Sequence, residues 1–148
     1  MSHSIEIIWE LGDQELSPGK YLTDHKVILN ENLTIDGGSS PDYGGSVSNI
    51  NPEQKLTAAI SSCFMMTFLA LAAKMKWPVK NYKDKAISYL GKNNEGRMYV
   101  NKIELNHRII FDNDFAISDD EMHKMKERSH KYCFIANSLS KDVEIKIN

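Results

Sequence analysis

The 148-residue chain has two thiols, Cys63 and Cys133, set in different surroundings. Cys63 sits inside AAISSCFMMTFLALAAK, residues 58–74, an apolar run interrupted only by Ser61, Ser62 and Thr67 before Lys74. Cys133 follows His130 by three residues, a spacing that on a helix places both on one face. Singly, a cysteine in an apolar helix reads as inert packing, and His130 reads as a polar residue near the end of an amphipathic helix. Together they offer one attacking thiolate and one resolving thiol, the minimum equipment of a dithiol redox cycle. Cys63 lies about three turns into its helix, beyond the reach of the helix dipole, so any lowering of its pKa needs another cation or donor. Glu53 opens the same helix, where a carboxylate is stabilised by the dipole in any case. Ten residues separate Glu53 from Cys63, about 15 Å along a straight helix. A shared site therefore requires a later helix start or a second subunit. The sequence has no CxxC, HxxxH or spaced quartet, so no metal is expected. A cysteine hydrolase would draw its base from His25, His107 or His130. His107, on an apolar strand face, reads as a hydrogen-bonded core residue.

Eighteen Lys and Arg against 20 Asp and Glu, with no long run of either sign, leave no electrostatic footprint for nucleic acid or an anionic membrane. MSHSIEIIWE has no basic segment followed by an apolar one, and the apolar run from residue 58 is short for a membrane span. The expectation is a soluble cytoplasmic protein in which two cysteines do not form a structural disulfide framework.

The positioning elements follow from periodicity. Ile5, Ile7 and Trp9 alternate with polar residues, as in a half-buried strand, and HKVILN and LTIDG bracket Glu31 and Asn32 as a hairpin. Residues 36–51 contain four glycines and a proline without apolar period and read as a long functional loop. Asn51, Pro52 and Gln54 mark a capped helix start, with the helix running to about Lys76 before Pro78. Apolar on every side, that helix should be buried between a sheet and another layer, with a second chain as one candidate. Residues 79–90 and 97–111 read as one long antiparallel hairpin around GKNNEG. Ser118 and Glu121 cap a second helix whose spacing carries through Met122, Met125, Ser129 and Cys133, and DVEIKIN returns as a strand. One domain, residues 1–148, accommodates all of this.

NPEQKLTAAISSCFMMTFLALAAK, followed after a hairpin by SHKYCFIANS, resembles the OsmC/Ohr family of thiol-dependent peroxidases, and the loop segment SSPDYGG resembles its less characterised OsmC-like branch. The resemblance implies an α+β fold: a long buried central helix with antiparallel sheets in an intertwined homodimer with active sites at the subunit interface. It implies that Cys63 is the peroxidatic residue attacking an organic hydroperoxide and that Cys133 resolves the resulting sulfenic acid as a disulfide. External thiols, dihydrolipoyl groups in some members, would reduce that disulfide without metal, haem or flavin. Glu53 would be the catalytic glutamate, and Tyr43, Phe64, Phe68 and Phe134 are the candidate walls of the organic half of the substrate site. In the family an N-terminal arginine pairs with this glutamate. Here arginine occurs only at Arg97, Arg108 and Arg128, and Thr23 stands in its place. A guanidinium is not imitated by lysine. His25, ahead of Lys20 and Lys26, is the candidate substitute, with His130 as possible assistance at the thiolate. The competing expectation is a catalytically weakened OsmC-like dimer that binds a small apolar or thiol ligand.

Overall fold

Alternating apolar residues at the N-terminus give β1 (Glu6–Ile8), β2 (His25–Asn30) and β3 (Leu33–Gly37), which form an antiparallel sheet in that order. The computed structural model describes residues 1–112 and 114–148. They divide into two compact units, Met1–Lys55 and Leu56–Asn148.

In the first unit, the β2–β3 hairpin turns at Glu31–Asn32, where the Asn32 N–H donates to Asn30 Oδ1 at 2.9 Å. The loop after β3 contains a single 3-10 turn, Pro41–Tyr43. Its return is tied to β3 by the Ile50 N–H donating to the Asp36 carbonyl at 3.0 Å and the Gly38 N–H donating to the Ile50 carbonyl at 3.2 Å. Val27 is buried, whereas Ile5, Ile7, Ile8 and Leu16 are exposed. Gly37 is buried where a Cβ would strike the His25 imidazole and lie 2.8 Å from Lys55 Nζ. G37A is therefore expected to lose about 1–3 kcal/mol, read as a lower urea midpoint.

α1 (Pro52–Lys74) starts with the expected reciprocal cap: the Gln54 N–H donates to Asn51 Oδ1 at 2.8 Å, and the Asn51 N–H to Gln54 Oε1 at 3.0 Å. It ends two residues earlier than the sequence suggests. Lys76 takes a left-handed conformation (φ 56°), and the N–H groups of Lys76 and Trp77 return to the carbonyls of Ala73 and Ala72. This pairing satisfies the last carbonyls of the helix before Pro78. Thr57, Ile60, Phe64, Phe68 and Ala72 form one buried stripe, while Met66 on another face is 59% exposed.

In the second unit the long hairpin is broken into two sheets. β4 (Val79–Asp84) pairs with β7 (His107–Phe111), and β5 (Ile87–Lys92) with β6 (Met98–Leu105). The break falls at a polar node that periodicity does not reveal. Asp84 accepts the Asn106 N–H at 2.7 Å through Oδ1 and the Ser61 hydroxyl at 2.6 Å through Oδ2, and the Asn106 amide donates to the Lys85 carbonyl at 3.0 Å. β8 (Glu144–Ile147) joins β6 in parallel, so the third sheet is mixed, ordered β5-β6-β8.

α2 (Asp119–Tyr132) carries the expected Ser118–Glu121 capping box. It ends at Cys133 instead of running through it, because Cys133 is extended (φ −73°, ψ 112°), and a separate α3 (Phe134–Ser138) follows. The core joins the α1 stripe from Ile60 onward to Trp77, Ile103, Leu105, Met125 and Cys133. α1 is long and apolar enough to cross a membrane, yet its stripe is the centre of this core.

Candidate functional site

Seventy residues apart in sequence, Cys63 and Cys133 pack at the same core within the second unit, close enough for Cys63 to raise the Cys133 pKa, and both are free thiols. α1 carries Cys63 beside Phe64 of the buried stripe, and the α2–α3 joint carries Cys133. The two thiols are not equivalent. Cys63 is half-buried, whereas Cys133 is completely closed to solvent. Burial pushes the Cys133 thiol up to about 11; the Ala136 and Ile135 N–H groups act against that rise, and the hydrogen bond and charge of Cys63 add to it. At neutral pH Cys133 is accordingly a thiol. The Thr67 hydroxyl donates to the Cys63 carbonyl at 2.9 Å.

The first unit holds the polar residues near the start of α1. His25 Nδ1 bonds to the Thr23 carbonyl at 2.8 Å, which requires Nδ1 to carry the proton. Nε2 is then the acceptor for the Lys55 ammonium at 3.2 Å. Lys55 is the cation at this spot, and no sequence motif singled it out. Thr23 lies 2.7 Å from Ser39 through their hydroxyls and accepts the Ser39 N–H at 3.0 Å. It thus fastens the approach to β2 to the loop after β3. Glu53 is half-buried in the first turn of α1.

The four aromatic candidates fall into two classes. Phe64 and Phe68 are 1% and 0% exposed and serve as packing in this chain. Tyr43 and Phe134 are 61% and 80% exposed; Tyr43 lines a cavity of about 570 Å³ with Leu16, Pro18, Tyr21 and Thr23 in the first unit. His130 is half-buried in the last turn of α2, and its carbonyl accepts the Cys133 N–H at 3.2 Å. Among the described residues no cluster of metal-ligating side chains occurs.

His107 departs from expectation. Its ring is stacked between Phe64 (5.5 Å, 23°) and Tyr82 (5.6 Å, 24°), and neither buried ring nitrogen meets a protein hydrogen-bond partner. Burial, with Lys126 assisting and Asp84 opposing, lowers its pKa to about 4. An unfolded His titrates near 6.5 and binds its proton first as pH falls, so this contribution to stability is complete above about 6.5 and drains as pH drops toward 4. After solvent screening of the half-buried ring, a loss of about 2 kcal/mol is expected. Urea denaturation at pH 7 and pH 4.5 should show it, with a shallower pH slope in H107F.

An α+β fold that brings a half-exposed thiol on its long central helix against a buried thiol defines a class of thiol-bearing proteins, and comparison narrows it. The OsmC-like protein family matches residues 44–148. An OsmC-like protein of unknown function from Vibrio cholerae O1 biovar eltor str. N16961 superposes with a TM-score of 0.92 at 31% identity, over 100% of this chain and 98% of the other. The chain belongs to the OsmC-like family. An organic hydroperoxide resistance protein from Elizabethkingia anophelis shares the fold at TM-score 0.73 and 19% identity, over 99% and 95% of the two chains. One from Bacillus subtilis does so at 0.69 and 14%, over 100% and 97%. No curated protein matches the sequence.

Proposed function

We propose that the chain is a thiol-dependent peroxidase that reduces organic hydroperoxides. The observation supporting this reading is the placement of Cys63 and Cys133 at one core, one half-buried and one closed to solvent, with Cys63 acting on the Cys133 pKa. The Cys63 thiolate attacks the outer oxygen of the hydroperoxide; the O–O bond breaks, an alcohol leaves with one proton, and Cys63 becomes a sulfenic acid. The Cys133 sulfur then attacks the Cys63 sulfur, expelling water and leaving a disulfide. An external dithiol of the dihydrolipoyl kind returns both thiols. His130 is the assisting group we assign within the second unit, and no cofactor is needed. We assign residues 1–148 to one OsmC-like domain working as a cytoplasmic homodimer. The exposed Ile5, Ile7, Ile8 and Met66 supply apolar surface for a partner to cover. Hydroperoxide resistance in the two relatives supports the substrate class.

The test is thiol titration before and after about one equivalent of cumene hydroperoxide per subunit. Both thiols should disappear as the peroxide is consumed. Retention of both with peroxide unchanged rejects the activity.

One observation favours a second reading, a dimer that binds a small apolar or thiol ligand without turnover. Thr23, which stands in the place of the family's arginine, is uncharged and committed to Ser39. Alkylation of Cys63 against pH separates the readings: an ordinary thiol profile supports the binder, a strongly depressed one the enzyme.

A further inference from the structure

Cys133 is more than half of a thiol pair, because it also holds the start of α3. Its sulfur accepts the Ala136 N–H at 3.4 Å, and its carbonyl accepts the Asn137 N–H at 3.0 Å. A five-residue helix cannot sustain itself by propagation, so its order depends on its cap and its packing. The packing is one-sided. Ile135, Ala136 and Leu139 lie against the core, while Phe134 is 80% exposed. The same residue shares the core with Cys63, which raises its pKa.

We propose that the joint between α2 and α3 is a redox-sensitive device: reduced Cys133 caps α3, and disulfide formation with Cys63 removes the cap and loosens Phe134–Leu139. This rests on the reading of the two cysteines as a redox pair. In the disulfide the Cys133 sulfur is drawn to bonding distance of Cys63, with its torsion fixed near a right angle, and loses the capacity to become a thiolate. It then turns from Ala136 and becomes a poorer acceptor, leaving an amide of the first turn without its partner. The loosening occurs in the state that a reducing thiol must reach, beside a sulfur that is otherwise closed to solvent. Oxidation thereby opens the way for the reductant.

Amide exchange across residues 134–139 tests this, with diamide, a dithiol oxidant that takes up the two hydrogens and closes the disulfide without any peroxide. Oxidised wild type should exchange about fivefold faster there than reduced wild type, the factor that matches loss of a typical N-cap. C133A should be equally fast without oxidant. C133S, whose hydroxyl caps in place of sulfur, should stay slow, as should C63S with or without diamide. If mass spectrometry finds the intramolecular disulfide and exchange is unchanged, the device is rejected while the redox pair stands. If both thiols survive diamide and cumene hydroperoxide, the redox pair falls and the device with it. Unchanged exchange in C133A also overturns the cap.

Discussion

Cys63→Ser is expected to abolish hydroperoxide turnover, by about a thousandfold or more, whereas Cys133→Ser should consume about one equivalent per subunit and stop. The difference follows from the environments of the two sulfurs. Cys133 has no solvent exposure, and its pKa near 11 keeps it protonated at neutral pH. It cannot take over the first attack when Cys63 is lost, since the thiolate is the nucleophile. A serine at position 63 leaves only a hydroxyl with no identified base. In C133S the Cys63 sulfenic acid still forms but has no thiol beside it, so it persists or climbs to sulfinic acid with excess peroxide. Single-turnover peroxide consumption and mass spectrometry of dimedone-trapped protein read both outcomes. Sustained turnover in C63S would overturn the assignment of the attacking thiol, and sustained turnover in C133S would overturn that of the resolving one.

What the sequence disclosed here was whatever its local signals encode. The Asn51–Gln54 and Ser118–Glu121 caps, the hairpin at Glu31–Asn32 and the apolar helix around Cys63, buried along one stripe instead of on every side, are all present. Features that depend on a residue leaving its periodic pattern were hidden. Helical spacing through Met125, Ser129 and Cys133 continued past the true end of α2, because spacing does not register that Cys133 turns extended and caps a new helix with its sulfur. Alternation from residue 97 to 111 likewise ran over Asn106, where the Asp84 node splits one hairpin into two sheets. The two cysteines were legible as a pair of motifs, and the family likeness joined them; neither alone specified its partner. Lys55 escaped because its role arises from His25, thirty positions away, and a lysine in the first turns of a helix carries no mark of such a contact.

Phe68→Ala is expected to cost about 3–5 kcal/mol, a large part of the about 5–15 kcal/mol that holds a domain of this kind together. Phe68 is 0% exposed, on the buried stripe of α1 one turn beyond Phe64. Its ring lies 6.4 Å from Trp77 and 5.9 Å from Tyr82, and Trp77 is in turn 6.1 Å from Phe111 and 6.1 Å from Phe115. Truncation would remove the side chain that connects the helix to the aromatic cluster of β4 and β7, and rigid rings around the void cannot collapse far to fill it. The effect should be selective for burial. Phe134→Ala, at an 80% exposed position, should stay within about 0.5 kcal/mol, so the contrast excludes a general consequence of losing an aromatic residue. Urea denaturation at one fixed protein concentration, followed by tryptophan fluorescence and by circular dichroism, would report the shift in midpoint. A loss below about 1 kcal/mol in F68A would mean that the α1 stripe is not the centre of the core.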